Sequence, residues 1–247
     1  MSFNLKKGTP ILKIKGGKHD GKKIRLNDSE KSHAGDFVEF ETSGILQQIP
    51  SGKFRDSLYI CGPAGAGKST YGAAFAKEYK KKYPHNPIIL FCPKAKDAVL
   101  DRLNPLRIKL TDDNILGDDK IDLEEIKDSL CIFDDTEGIP DNAIKKGVMQ
   151  LRDNILTVGR SLHISCITIS HLVTDNRNTK IPIVESEFFT FFPNGGLNYQ
   201  VLRFLKAYVG LSKPQIDKLM GLRSRWVTLH KSYPLYAFSK DQAYILK

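Results

Sequence analysis

Residues 58–70 read LYICGPAGAGKST, a short apolar run followed by the complete phosphate-binding pattern GxxxxGK[ST] at Gly62–Ser69. Residues 70–83 then carry apolar side chains at helical spacing. Strand, glycine-rich turn and helix form the context in which this pattern binds phosphates, because backbone N–H groups and the helix N-terminus face the ligand. The alternative, a glycine turn without a ligand, leaves the complete motif unexplained. The stretch therefore predicts an α/β protein that binds a nucleoside triphosphate.

The predicted nucleotide contacts lie in this loop and the first residues of the helix. They are Gly62, Pro63, Ala64, Gly65, Ala66, Gly67, Lys68, Ser69 and Thr70. We expect Lys68 to reach the β- and γ-phosphates and the Ser69 hydroxyl to hold Mg²⁺. ATP and Mg²⁺ are thus the predicted cofactors, although no motif in the sequence selects adenine.

A second apolar run, Leu130–Phe133, is followed by acidic residues. An acid at the C-terminal end of a buried parallel strand lies where ligands of open α/β sheets bind. Asp134 is therefore the expected Mg²⁺ partner, directly or through water. Asp135 is the expected base for the attacking water, with Glu137 as the second candidate. An acidic turn without a catalytic role is the alternative, and the phosphate loop upstream argues against it.

Residues 164–169 predict a further strand, which ends in Ser170 and His171. An additional strand between the phosphate-loop strand and the strand ending in Asp134 is typical of hydrolysing, ring-forming ATPases rather than of small-molecule kinases. Ser170 and His171 are therefore candidates for contacting the γ-phosphate. Polar groups that merely satisfy a strand end are an equally good interpretation.

Arginine residues near the predicted helix over 141–158 are candidates for acting on a neighbouring subunit's nucleotide. Arg160 is the first choice, and Arg152 and Arg177 are the others. Such an arginine stabilises charge on the transferring phosphoryl group. The alternative for Arg160 is an arginine favoured by the negative end of the helix dipole.

Length and composition suit one α/β domain with additions, because the chain has 247 residues. No apolar run approaches the roughly 20 residues that span a bilayer, and the N-terminus lacks a signal-peptide pattern. We therefore expect no membrane insertion. The four cysteines, Cys61, Cys92, Cys131 and Cys166, each lie in an apolar run without a CxxC pair. Buried free thiols in a reducing compartment explain them better than disulfides or zinc.

The formal net charge of +10 is unevenly distributed. Residues 1–25 carry eight Lys or Arg against one acid, and residues 197–247 carry nine against two. The intervening residues carry 21 against 25 and are mildly acidic. Two basic flanks on an acidic core favour a polyanion-binding surface attached to an enzyme. Ordinary solvated lysine is the alternative.

The hydrophobic pattern divides the chain into three segments. Residues 1–50 form a small basic β-rich segment, with a hairpin over 11–26, a candidate strand over 37–40 and a connection over 45–50. Residues 51–196 alternate strands and helices, which predicts a P-loop core with a mainly parallel central sheet flanked by helices. Residues 197–247 predict two basic helices and a strand pair packed on the core.

Together these segments resemble the viral genome-packaging ATPases of the FtsK–HerA superfamily, in particular the poxvirus-type enzymes of large DNA viruses and their satellite viruses. The resemblance extends from about residue 45 to residue 235. The matching stretches are LYICGPAGAGKST, PIILFCPK, NPLRIKL, SLCIFDDTE, VGRSLHISCITISH and SRWVTLHKSYP. One departure is His171, because these enzymes usually carry glutamine at the end of that strand.

The resemblance implies a RecA-like core, ATP hydrolysis and a homo-oligomeric ring, pentameric or hexameric. It also implies translocation of double-stranded DNA into a preformed capsid, with a capsid component as a further partner. The implied location is the virus assembly site in the host cytoplasm, or the virion. The resemblance supports the roles given above to Lys68, Ser69, Asp134 and Asp135, and Arg160 as the arginine acting in trans.

Two other functions remain open from the sequence. The first is a P-loop nucleotide or nucleoside kinase, which requires an arginine-bearing lid that the sequence does not provide and leaves the basic flanks unexplained. The second is a nucleotide-gated DNA-binding or scaffold protein that hydrolyses little ATP. DNA-stimulated ATP hydrolysis distinguishes the motor from both.

Overall fold

The chain folds into a ten-stranded mixed sheet and a four-stranded antiparallel sheet. The computed structural model describes residues 1–27, 37–52, 55–118, 120–175, 178–193 and 198–246. In chain order the strands are β1 (Ser2–Asn4), β2 (Thr9–Lys15), β3 (Lys23–Asn27), β4 (Phe37–Glu41), β5 (Ile45–Gln48), β6 (Ser57–Cys61), β7 (Ile88–Phe91), β8 (Leu106–Arg107), β9 (Leu130–Asp134), β10 (Ser165–Ser170), β11 (Phe188–Phe191), β12 (Val227–His230), β13 (Tyr236–Phe238) and β14 (Gln242–Leu246). The helices are α1 (Lys68–Lys82), α2 (Asp112–Ile115), α3 (Asn142–Val158), α4 (Lys180–Glu185), α5 (Asn198–Ala207) and α6 (Lys213–Met220).

The large sheet has the strand order β4-β14-β13-β12-β11-β6-β10-β9-β7-β8. Its strands pair in parallel from β11 to β8, and antiparallel from β11 through β12, β13 and β14 to β4. Strand β10 lies between β6 and β9, where the sequence predicts an additional strand tipped by polar residues. The predicted α/β, RecA-like fold with a mainly parallel central sheet flanked by helices is confirmed.

Helices cover both faces of the parallel strands. Every residue of β6, β7, β9, β10 and β11 is buried, and such strands read as continuous apolar runs instead of alternating ones. On one face, Phe75 of α1 packs in a cluster with Ile60. Successive side chains of a strand point to opposite faces of the sheet. On the other face, the ring centroids of Phe189 and of Phe204 from α5 are 3.9 Å apart.

The small sheet has the order β1-β3-β2-β5 and contains the hairpin that the sequence predicts over 11–26. Residues 45–50, predicted as a connection, contribute β5, which pairs with β2 through Leu46 and Ile14. That prediction is wrong. The strand is hard to recognise in the sequence because two glutamines interrupt the apolar pattern. The side chain of Gln48 is nevertheless buried and accepts a hydrogen bond from Tyr71 Oη at 2.8 Å.

The predicted strand over 37–40 forms β4, which joins the large sheet at its edge beside β14. An ion pair of 2.7 Å between Lys218 and Glu39 links this edge to α6. Strands from both ends of the chain therefore extend the sheet that carries the phosphate-loop strand.

Three short elements, β1, α2 and α4, are not predicted from the sequence. The helix predicted over 93–103 is reduced to a 3-10 turn at Leu100–Leu103. The predicted C-terminal strand pair is instead three strands, because residues 236–246 turn back on themselves to form the antiparallel strands β13 and β14. The remaining predicted strands and helices are present, with their ends shifted by one or a few residues.

The four cysteines are buried and unpaired, as predicted. Cys61, Cys131 and Cys166 lie within strands, and Cys92 directly follows β7. Burial raises the pKa of each thiol, which keeps the thiols protonated and unreactive. No helix in the described ranges is long and apolar enough to cross a bilayer.

Candidate active site

The predicted site residues meet because three neighbouring parallel strands end level with one another. Ser170 is paired with Cys61, and Ile169 is paired with Asp134. The phosphate loop, Asp135 and His171 therefore follow at the same edge of the sheet. A hydrogen bond of 3.2 Å from Gly62 N to Ser170 O ties the phosphate loop to the tip of β10.

The phosphate loop turns through two glycines in the left-handed region, Gly65 with φ 73° and Gly67 with φ 106°. Only glycine adopts these angles without strain. Gly67 directly precedes α1, and no side chain caps the helix N-terminus. The first backbone N–H groups of α1, including those of Ser69 and Thr70, are therefore oriented as in other phosphate-binding helices.

Arg225, from the SRWV stretch before β12, holds the phosphate loop from outside. Its Nε donates to Ala66 O and its Nη2 to Gly65 O, each at 2.8 Å. Sequence reasoning missed this residue, because an arginine before a strand has no spacing that indicates a contact with the phosphate loop. The loop residues Pro63–Ala66, together with Phe192 and Arg223–Arg225, line an open cleft of about 600 Å³.

Lys68 points its amine toward the carbonyl groups of its own loop. The amine donates to Gly62 O at 2.7 Å and to Pro63 O at 3.0 Å, and lies 3.4 Å from His171 Nδ1. Burial lowers the pKa of Lys68, although the charges of Asp135 and Asp134 oppose that shift. The amine is thus a desolvated cation at the sheet edge, and such a cation interacts strongly with an anion.

Asp134, the last residue of β9, is 2% exposed. Its Oδ2 has no hydrogen-bond partner among the described residues. Burial, and next the charge of Asp135, raise the pKa of Asp134 to about 7. A buried, unpartnered carboxylate oxygen beside a phosphate loop fits a divalent cation, which is the role predicted for Asp134 with Ser69. The described residues contain no cluster of three or more His, Cys, Asp or Glu side chains able to hold a metal alone.

Two basic side chains contact the Asp135 carboxylate, one at each oxygen. His171 Nε2 lies 2.7 Å from Oδ1, and the amine of Lys94 forms an ion pair with Oδ2. Burial acts to raise the pKa of Asp135, but the hydrogen bonds from Lys94 and His171 outweigh it and lower the pKa. Sequence reasoning missed Lys94, because a lysine three residues after a strand has no spacing that indicates this contact.

Glu137, the second candidate base, is engaged differently. Ser170 Oγ donates to Glu137 Oε1 at 2.5 Å, and Oε2 is buried without a partner among the described residues. The predicted residues Asp135, Glu137, Ser170 and His171 are therefore brought together, in the pairs His171–Asp135 and Ser170–Glu137.

Arg160 lies near the N-terminal ends of the parallel strands, whereas the phosphate loop lies at their C-terminal ends. It precedes β10, whose first residue is Ser165, and it lines two clefts of about 520 and 590 Å³ together with Arg55. Arg152 is buried and bonded to Asp153 and to Asn178 O. The third candidate, residue 177, lies outside the described residues. Of the two described candidates, Arg160 is exposed and Arg152 is buried.

Comparison with known proteins places the chain in a family. It is 37% identical over 247 residues to protein V3 of Sputnik virophage, itself uncharacterized, and the match covers 98% of each chain. The chain belongs to the V3 family. No family model matches this V3-family sequence.

Two solved structures are similar to the V3-family chain. The pCW3 conjugation coupling protein TcpA, in its monomer form with ATPgS, matches with a TM-score of 0.51 and 10% identity over 93% of this chain and 76% of that one. The genome packaging NTPase B204 from Sulfolobus turreted icosahedral virus 2, in complex with AMP, matches with a TM-score of 0.49 and 14% identity over 72% and 94%. The likeness to TcpA supports the predicted fold, and at 10% identity it concerns the fold alone.

Proposed function

We propose that this chain is a motor that hydrolyses ATP to translocate double-stranded DNA into a viral capsid. The observation that carries the proposal is the arrangement of three strand tips at one sheet edge. They present a phosphate loop, a pair of aspartates and the polar end of β10 within hydrogen-bonding reach of one another. A site that only binds nucleotide does not require the carboxylates and the polar strand end beside the loop.

In this proposal the loop from Gly62 to Thr70 holds the triphosphate, and Lys68 turns from its loop carbonyls to the β- and γ-phosphates. Ser69 and Asp134 hold Mg²⁺, which when bound supplies positive charge at those phosphates. We place the base and ribose in the cleft of about 600 Å³ beside the loop, where Phe192 offers an apolar surface.

The chemical step is hydrolysis of the terminal phosphoanhydride bond. The oxygen of a water attacks the γ-phosphorus, its proton passes to Asp135, and the bond to the bridging oxygen breaks to leave ADP and phosphate. We assign the base role to Asp135 because it contacts His171, which also lies 3.4 Å from Lys68, whereas Glu137 contacts Ser170 and keeps its second oxygen buried. Ser170 and His171 are placed to respond to the γ-phosphate, since His171 contacts both Lys68 and Asp135.

The opposite positions of Arg160 and the phosphate loop support a homo-oligomeric ring, pentameric or hexameric. In a head-to-tail ring, the edge of one subunit that carries Arg160 faces the nucleotide edge of the next. Arg160 then stabilises charge on the neighbour's transferring phosphoryl group. We further propose a capsid component as a docking partner, and action at the virus assembly site in the host cytoplasm.

The DNA contacts are assigned to the basic flanks, and the small sheet provides a surface for them. Lys13 and Lys23 are directly opposite each other in the β2–β3 pair, on the face away from the buried Leu12 and Ile24. Like charges directly opposite each other destabilise a sheet. A phosphate backbone on that face offsets their repulsion.

The deciding experiment compares the ATPase rate with and without duplex DNA, and offers small phosphoryl acceptors in parallel. We expect hydrolysis that duplex DNA stimulates. Phosphoryl transfer to a nucleoside or nucleotide instead of water identifies a kinase. Nucleotide and DNA binding without turnover identifies a gated DNA-binding protein, and either result contradicts the motor.

A further inference from the structure

Lys94 reaches the active site from a strand that carries none of the predicted site residues. It lies three residues beyond the end of β7, and its amine forms an ion pair with Asp135 Oδ2. The Asp135 side chain is 15% exposed and that of Lys94 is 56% exposed, so the pair lies at the mouth of the site. His171 takes the other carboxylate oxygen from β10, on the opposite side of β9 from β7. Asp135 is therefore held from both neighbouring strands.

The segment that carries Lys94 is itself fixed by side-chain bonds. Arg107 Nη1 donates to Lys94 O at 2.7 Å, and Arg107 Nη2 donates to Asp101 Oδ1 at 2.5 Å. Asp101 Oδ2 in turn accepts from Asp97 N at 2.7 Å. Arg107 reaches Lys94 because β8 pairs in parallel with β7, with Arg107 level with Leu90. These bonds fix the loop after β7. A lysine that only extends into solvent would need no such support.

Asp135 also requires such support. Its backbone lies in the left-handed region, with φ 53° and ψ 28°, which is unfavourable for a residue other than glycine. Strain of this kind persists where surrounding contacts enforce it, and it is concentrated at functional sites. The conformation turns Asp135 away from the direction of β9, so that Asp134 and Asp135 present their carboxylates to different neighbours.

We propose that Lys94 is a positioning residue that orients the Asp135 carboxylate toward the attacking water, with Arg107 acting through Lys94. The inference rests on the proposed ATP hydrolysis and adds two residues to it. In this proposal Lys94 acts on Asp135, with which its amine pairs, and its carbonyl is bonded to Arg107 on the β8 side of the site.

The test compares Lys94→Ala, Lys94→Arg and Lys96→Ala for kcat of ATP hydrolysis and for affinity toward a fluorescent ATP analogue. Misplacing a catalytic group by about 1 Å lowers rates by about 100-fold. We expect a kcat decrease of that order for Lys94→Ala with unchanged nucleotide affinity. Lys94→Arg keeps the charge and should restore most of the turnover. Lys96 is exposed on the same loop and serves as the matched control, with wild-type turnover expected.

Two double-mutant cycles separate positioning from a general effect on the loop. Single-turnover measurements with radiolabelled ATP should show that Lys94→Ala causes little further decrease in an Asp135→Asn chain. Arg107→Ala should likewise cause little further decrease in a Lys94→Ala chain, because residues that act through one another are not additive.

Three outcomes overturn the inference while leaving the proposed function intact. They are wild-type kcat in Lys94→Ala, a weakened ATP affinity that accounts for the decrease, and full additivity in both cycles. The second outcome assigns Lys94 to the phosphates. A wild-type chain that hydrolyses no ATP, with or without duplex DNA, instead overturns the proposed function and the inference with it.

Discussion

Asp135 and Glu137 lie two residues apart, yet their carboxylates have different surroundings. Asp135 is partly exposed and bonded to the Lys94 amine and to the His171 ring. Glu137 is bonded to a neutral hydroxyl, and its second oxygen is buried. At the scale of single residues, two neighbouring acids can therefore be tested separately for the proposed base role.

Asp135→Asn should retain nucleotide binding and lose turnover by roughly 10²- to 10⁴-fold, the range that general base catalysis contributes. Asp134 and the phosphate loop are unchanged in this variant, and ATP-analogue affinity should therefore stay at the wild-type level. Steady-state ATPase rates and a fluorescent-nucleotide titration measure the two effects. Asp217→Asn, the same change at an exposed position on α6, is the control. If Glu137→Gln loses turnover and Asp135→Asn does not, the base is Glu137.

The sequence located the acidic pair and the polar end of β10 because each directly follows a buried apolar strand. Strand ends of a parallel sheet meet at one edge, and a motif at a strand end can therefore be placed without coordinates. Lys94 and Arg225 could not be found in this way. Their roles depend on which loop reaches which neighbour, and no local pattern in the sequence records that.

Helix α3 begins at a side-chain cap. Asp141 Oδ1 accepts hydrogen bonds from Ala143 N at 2.7 Å and from Ile144 N at 2.9 Å, which satisfies two N–H groups of the first turn. The helix then buries Val148 and Ile155 against the sheet, in a cluster with Cys131 of β9. Its start therefore affects the stability of the whole core.

Asp141→Ala should destabilise the chain by about 1 kcal/mol, the usual value of an N-cap. For a chain of this size that lowers the midpoint of thermal unfolding by roughly 2–4 °C. Asp141→Ser, which restores a capping oxygen, should recover most of that stability. Thermal melts of the three chains measure the effect, and equal midpoints for wild type and Asp141→Ala exclude a stabilising cap.

The elements that sequence reasoning missed share a physical cause. Strand β5 contains two glutamines, one of them buried through a specific bond to Tyr71, so polarity hides its periodicity. Helix α4 is six residues long and contains Pro182, which removes a backbone donor. In both cases tertiary contacts stabilise an element that its own sequence does not favour.

At the scale of the whole molecule, the phosphate loop and Arg160 lie at opposite ends of the parallel strands. If Arg160 acts in trans, Arg160→Ala and Lys68→Ala chains, each inactive alone, should partly restore ATPase activity when mixed. Some interfaces then pair an intact loop with an intact arginine. A mixture of Lys68→Ala with a chain carrying both substitutions contains no such interface and serves as the control. Absence of recovery in mixed rings shown to form assigns Arg160 a structural role.

A separate prediction concerns the lysines of the small sheet and its hairpin. Replacing Lys13, Lys15, Lys22 and Lys23 by glutamine should flatten the salt dependence of duplex binding, by a slope of roughly 0.9 for each phosphate that the variant no longer neutralises. DNA-stimulated hydrolysis should fall and basal hydrolysis should remain, with little dependence on DNA sequence. The control replaces four exposed lysines of the acidic core, Lys109, Lys120, Lys127 and Lys146. An unchanged slope moves the DNA-binding surface to the C-terminal flank or the ring interior.

The pairing of β4 with β14, from Phe37↔Leu246 to Glu41↔Gln242, also affects how the chain is made. A ribosome adds roughly 5–20 residues per second, and β4 therefore remains unpaired for on the order of 10–40 s before its partner strand has been synthesised. During that interval β4 presents an open edge, and an open edge can recruit a strand of another nascent chain. A translation product that stops before residue 242 lacks β14, so that β13 becomes an open edge and β4 has no partner in the large sheet. Such a product is a seed for aggregation rather than a slightly shorter version of the folded chain.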